Sequence, residues 1–255
     1  MDIGFSTLGA PQMTFSEAIE TAEKHGLSFL EVRTLGGLLD MPAYFAQNPP
    51  PVVHPEVRVL GTSFCLLHTC DTDAIEANAA LAQRLGARYL RIFGEGGGSM
   101  APTMSEEQLD LAAANLIHMQ ALVKDFSVEL ILETHDIFSS TERILALSSR
   151  LADPLKILWD SHHTWFFSGE KLADTWEQLA PLVVHVHYKD SLPDDSPHKH
   201  RYVLPGDGAF PTTELRSILE AANYTGGVSL EWEKMWHPEI AELEPALEKF
   251  VQLFH

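Results

Sequence analysis

Basic residues are scarce in this sequence: 17 Lys and Arg stand against 36 Asp and Glu, a formal net charge of −19 over 255 residues. A surface of that sign repels phosphate backbones, which argues against nucleic-acid partners and favours small molecules or cations. Cysteine is rarer still. Cys65 and Cys70, with His68 between them, are too few for a disulfide scaffold and lack an evident fourth ligand for a structural zinc. Both read as reduced thiols, which points to the cytoplasm. No apolar run approaches the ~18 residues of a membrane helix. No basic segment precedes the strand-like start Met1-Asp2-Ile3-Gly4-Phe5, so neither membrane association nor a signal peptide is expected. Internal repeats, low-complexity tracts and long linkers are also missing, so residues 1–255 are expected to form one domain.

What is present is alternation. Strand-like runs occur at 2–7, 27–32, 57–64, 88–93, 128–132, 156–159, 182–187 and 228–230. Helical patterns lie between and after them, at 14–25, 73–85, 105–124, 141–151, 171–180, 212–222 and 240–253. Thr14 with Glu17 makes a capping box, and Gly26 and Gly86 follow helices as stops. Thr212 or Thr213 is the expected cap of its helix. The segments 36–55 and 191–208 read as loops, the first with at most one short helix. Eight strand–helix units in about 250 residues predict an α/β fold, a single (β/α)8 TIM barrel. A doubly wound open sheet is the rival. Gly94-Glu95-Gly96-Gly97-Gly98 lacks the Lys-Ser/Thr of a nucleotide loop and reads as a plain turn after strand four.

Four of the apolar runs end in groups that ligate metals. Ile131-Leu132 leads to Glu133-Thr134-His135-Asp136, and Leu158-Trp159 to Asp160-Ser161-His162-His163. Val183-Val184 leads to His185-Val186-His187-Tyr188-Lys189-Asp190, and Ser229-Leu230 to Glu231-Trp232-Glu233. Any one of these is more often a solvated loop residue or a satisfied core histidine. In register at successive strand ends they converge on a barrel's C-terminal mouth, and carboxylates clustered there repel one another unless a cation neutralises them. Glu133, Asp160, His187 and Glu231 are therefore candidate ligands of one divalent ion, Mn²⁺ or Mg²⁺ by the oxygen-rich set, with Co²⁺ and Zn²⁺ as alternatives. His185 and His187 share a strand face, so either can be the ligand and the other its support. Trp159, Trp165, Phe167, Trp232 and Trp236 either wall a pocket or pack the core. Lys189 and Asp190 either form an ion pair at the strand end or contact the substrate. His198-Lys199-His200-Arg201, a basic cluster in an acidic chain, is either a receiver for an anionic substrate group or a solvated loop.

With Pro205-Gly206-Asp207-Gly208 and Gly226-Gly227 added, these motifs resemble the xylose-isomerase-like TIM-barrel superfamily of sugar and sugar-phosphate isomerases and epimerases, which includes endonuclease-IV-like enzymes. The resemblance implies that Glu133, Asp160, His187 and Glu231 bind one divalent metal. It implies that His163 contacts the substrate, as does an Arg before the Pro-Gly turn. Arg201 stands one residue further from Pro205 than that pattern has it. No His ends strand four and no Asp-x-His follows Pro205, so the three-metal endonuclease pattern is not matched. The expected activity is a sugar isomerase or epimerase working through a metal-stabilised enediolate, with Glu133 and Glu231 as the acid–base pair and His135, His163 and Arg201 holding hydroxyl groups. The alternatives are a lyase of the 3-dehydroshikimate-dehydratase type and a non-catalytic sugar-binding barrel. The expected partner is a small sugar or polyol ketone, and such barrels often assemble as homodimers or homotetramers.

Overall fold

The computed structural model describes residues 1–50, 56–69, 71–96, 103–196 and 198–255. Cys70 and the end of the glycine run, 97–98, lie outside them. Eight strands close a parallel barrel: β1 (Asp2–Ser6), β2 (Phe29–Val32), β3 (Glu56–Cys65), β4 (Tyr89–Phe93), β5 (Glu129–Glu133), β6 (Ile157–Asp160), β7 (Val183–Tyr188) and β10 (Gly227–Leu230). The last of these pairs with both β7 and β1, which closes the ring. The open-sheet alternative is excluded.

Alternation along the strands sorts the side chains into two cores. Val59, Tyr89, Ile131 and Leu158 form a small apolar layer, while their neighbours Leu60, Leu90, Leu132 and Ile157 join the larger core under the helices. The next inward positions towards the strand ends are Glu31, Arg91, Glu133, Asp160 and His187, all buried. Each is therefore held by a packed layer below it and by a hydrogen-bonded strand on either side.

The surrounding helices follow the apolar periodicity. In α1 (Phe15–Lys24) the buried residues are Phe15, Ala18 and Ala22, and the Thr14–Glu17 capping box is formed. A short helix, α2 (Met41–Gln47), interrupts the loop after β2. Next come α3 (Thr72–Leu85), closed by Gly86 in the left-handed conformation, and α4 (Glu106–Val123), opened by a Ser105–Gln108 capping box. α5 (Thr141–Ser148), α7 (Leu172–Leu179), α8 (Thr212–Ala221) and α9 (Leu243–Phe254) complete the outer ring. No helix among the described residues is long and apolar enough to cross a membrane.

Two readings of the sequence need correction, and one short helix was not expected from it. The segment 191–208 is not an irregular loop: β8 (Asp190–Pro193) and β9 (His200–Val203) form an antiparallel hairpin over the barrel mouth. Its polar side chains hid the strand signal. A one-and-a-half-turn helix, α6 (Ser161–Phe166), follows β6 at once, because the Asp160 side chain caps it by accepting from His163 N at 2.9 Å. No threonine caps α8: Pro211 precedes it, and the Thr212 hydroxyl lies 3.0 Å from the Tyr188 hydroxyl instead.

Candidate metal centre and its cleft

Glu133, Asp160, His187 and Glu231 stand at the ends of β5, β6, β7 and β10, and one ligand atom from each lies within 4.8 Å of all the others. All are buried. The His187 ring is central. Its Nδ1 faces Glu231 Oε2 at 3.3 Å, Glu133 Oε1 at 3.6 Å and Asp160 Oδ2 at 3.8 Å. Its Nε2 lies 2.7 Å from Glu31 Oε2. His185, two residues earlier, sits one level deeper, with Nε2 2.8 Å from Ser229 Oγ and 3.5 Å from Glu31 Oε2. Of the two histidines, His187 is the one that faces the carboxylate cluster.

The donor set fits a divalent cation. Glu133 Oε2 and His187 Nδ1 are buried without a hydrogen-bond partner. Burial alone would raise the pKa of Asp160 and Glu231, but the Lys189 ammonium beside both holds them below the usual carboxylate range. By formal charge, the carboxylates of Glu31, Glu133, Asp160, Glu231 and Glu233 face the cations of Arg33, Arg91 and Lys189. Two negative charges are left over, which one divalent ion balances.

Lys189 is part of this centre rather than the partner of Asp190. Its buried ammonium lies 2.8 Å from Asp160 Oδ2 and 2.5 Å from Glu233 Oε1, and it also bonds Glu231. Burial opposes its charge, yet Asp160, Glu231 and Glu233 raise its pKa well above the ordinary lysine value. Asp190 turns away. Its carboxylate accepts from the amides of Ser191, Gly206, Gly208 and Phe210 at 2.8–3.1 Å, so the Pro-Gly-Asp-Gly stretch wraps a buried carboxylate.

Above the centre opens a cleft of about 630 Å³. His135 and His163 line it. His163 Nδ1 is 3.1 Å from Thr134 O, and burial keeps the ring neutral by lowering its pKa well below 6.5. His198 and His200 also line the cleft, but Arg201 does not: it points to solvent from the outer face of the hairpin. Among the aromatics, Trp159 and Trp232 are core, whereas Phe167 and the half-exposed Trp236 are cleft walls.

Glu31, Arg33 and Arg91 were not singled out from the sequence. Glu31 lies in β2, Arg33 follows it and Arg91 lies in β4, and these strand ends lack the clustered His and Asp of strands five to eight. Counting in steps of two towards each strand end would have found them, since that periodicity alone puts Glu31, Arg33 and Arg91 inside the barrel.

Fold and site together define a TIM barrel with a buried carboxylate–imidazole centre at its C-terminal mouth. Residues 69–252 match the xylose isomerase-like TIM barrel family model, and the chain belongs to that family. An inosose dehydratase of Bacillus anthracis is 26% identical over 164 residues, 57% of this chain and 51% of the relative. The chain thus spans about half the length of the curated relatives it matches. Three solved structures share the fold. The probable 3-DHS dehydratase AsbF from Bacillus anthracis has a TM-score of 0.81 at 18% identity, covering 98% of both chains. The IOLI protein with a bound zinc atom has 0.78 at 17%, covering 100% of this chain and 98% of that one. A D-tagatose 3-epimerase-like protein has 0.71 at 16%, covering 99% and 96%.

Proposed function

We propose that this chain is a divalent-metal-dependent enzyme that enolises a hydroxylated ketone of the sugar or polyol class. The observation that carries this is the convergence of Glu133, Asp160, His187 and Glu231 within 4.8 Å beneath a cleft. These residues would hold one divalent ion, whose charge acidifies the C–H beside a carbonyl and stabilises the enediolate. Zinc in a protein of the same fold supports a divalent ion without fixing its identity. Glu133 and Glu231, reaching the cleft from β5 and β10, are the acid–base pair. His135 and His163 present ring edges to substrate hydroxyls.

Of the outcomes open to an enediolate, water loss has the better support. Loss of a hydroxide beside the enediolate needs a proton at hand, which the Glu133–Glu231 pair lining the cleft supplies. The proton taken from carbon returns through the carboxyl pair to that hydroxide, so the products are the dehydrated ketone and water. Inosose dehydratases among the relatives agree with this. Epimerisation or isomerisation, the expectation from the sequence, is the second reading. It needs only the Glu133–Glu231 pair, which is present, and an epimerase-like protein shares the fold.

The test is metal content followed by product mass. About one divalent ion per chain, lost in Glu133→Ala and Glu231→Ala, is the expected result. Turnover of polyol ketones in heavy water then separates the readings: a product lighter by one water, against one of equal skeleton carrying deuterium. No binding of Mn²⁺, Co²⁺ or Zn²⁺ would overturn the proposal.

A further inference from the structure

Beside the carboxylates, the cleft wall carries two buried cations that the enolisation scheme does not use. Arg33 follows β2 and Arg91 lies in β4, at 5% and 1% exposure, and both line the cleft. They flank β3 at Gly61, the residue between them in the barrel. A Cβ there would lie 2.8 Å from Arg33 Cδ and 3.0 Å from Arg91 Nη2. Glycine is thus what lets two guanidinium groups share this wall. Arg33 Nη2 donates to Ser63 Oγ at 2.9 Å, on the same strand as Gly61.

The pair is under-satisfied. Arg33 Nη1, Arg91 Nε and Arg91 Nη1 are buried without a hydrogen-bond partner. The nearest carboxylate is Glu133, whose Oε2 is 3.4 Å from Arg91 Nε. Placing like charges side by side away from water is costly, and it persists where an anion completes the site. Burial and the Arg91 charge push the Arg33 pKa down to about 9, more than the carboxylates of Glu133, Glu231 and Glu31 offset.

We propose that Arg33, Ser63 and Arg91 form a carboxylate subsite, so that the ketone handled here is an acid: a polyhydroxy keto acid whose carboxylate binds the arginines while its carbonyl end reaches Glu133 and Glu231. The proposal rests on the cleft being the substrate site. The bulk field of a chain with net charge −19 repels anions, so selection of one must come from local cations. Lys189 is taken up by Asp160, Glu231 and Glu233, and the basic stretch 198–201 turns Lys199 and Arg201 to solvent. A planar monoanion matches the fork of a guanidinium; a phosphate dianion would add a second negative charge to a centre that a divalent ion already neutralises.

The experiment is calorimetric titration of the metal-loaded protein with D-gluconate, with neutral sorbitol, and with sorbitol 6-phosphate. Gluconate is expected to bind about tenfold tighter than sorbitol or more. Arg33→Gln should erase that preference and Arg33→Lys restore part of it, with circular dichroism melts to show both variants folded. Equal affinity for gluconate and sorbitol would overturn the subsite and leave the enolising reading standing. Tighter binding of the phosphate would overturn the carboxylate assignment. A protein that prefers gluconate but binds no divalent ion would uphold the subsite and overturn the metal reading.

Discussion

Glu31 Oε2 lies 2.7 Å from Nε2 of His187, and the opposite nitrogen of that ring faces three carboxylates. The pair comes from β2 and β7, which are separated around the ring by β1 and β10, so the contact crosses the barrel interior. A carboxylate behind an imidazole fixes the tautomer, leaving Nδ1 as a lone-pair donor and raising its basicity. Burial would raise the Glu31 pKa, but His187 and His185 hold it far below the carboxylate range, so the orienting group is ionised. Glu31→Gln is expected to weaken divalent-metal affinity roughly 10–100-fold, measured by competition against a chelator. Unchanged affinity would mean that the contact merely packs the barrel.

Lys189 already supplies one positive charge where the metal supplies two. Without the ion, its ammonium is the main compensation for Asp160, Glu231 and Glu233. Lys189→Met should therefore destabilise the metal-free protein by about 3–5 kcal/mol, the usual cost of stranding buried charge. It should also enlarge the Tm gain on adding metal, since the variant carries no competing cation. A smaller metal-induced gain than in the parent would show Lys189 to be a support of the ion instead of its rival.

The barrel was legible because alternation and capping are local: the capping box at Thr14 and the stop at Gly86 are decided within a few residues. The ends of β5, β6, β7 and β10 were legible because His, Asp and Glu after an apolar run are conspicuous. The arginine wall was not. Arg91 sits inside Tyr89–Phe93, where an arginine reads as an interruption of a strand, and its meaning depends on Arg33 across Gly61. The hairpin was missed for a related reason: β8 and β9 are held by Asp190 on loop amides rather than by an apolar stripe.

Asp136 holds the residues that leave β4. Its Oδ2 accepts from the amides of Glu95 and Gly96 at 2.8 and 2.7 Å, and its own backbone is left-handed, φ 45°. Burial works against its charge, but the adjacent His135 ring and those amides override it and hold the pKa below 3.8. A depressed acid contributes stability above its unfolded pKa and loses it as pH falls through the folded one. Asp136→Asn is expected to cost about 1.5–3 kcal/mol at pH 7 in urea unfolding, with the deficit shrinking below about pH 4. A deficit independent of pH would assign the cost to packing.

Asp190 does for the hairpin what Asp136 does for the β4 loop, on a larger scale. Its carboxylate takes four backbone amides, and a Cβ at Gly208 would overlap Oδ1, so the carboxylate and the Pro-Gly-Asp-Gly stretch are shaped to each other. The hairpin in turn carries Tyr202, whose hydroxyl donates to Glu233 Oε1 at 2.8 Å, the oxygen that Lys189 also holds. Loosening Asp190 should therefore reach the centre through Tyr202 without touching the metal-ligand set. Asp190→Asn places an N–H₂ against two of these four donors and is expected to cost about 2–4 kcal/mol, with Gly208→Ala comparable. Hydrogen exchange should rise across 190–210 while bound-metal stoichiometry stays at the parent value. Loss of metal in Asp190→Asn would show that the hairpin clamps the ligands directly, and unchanged exchange would show that the carboxylate is not what holds it.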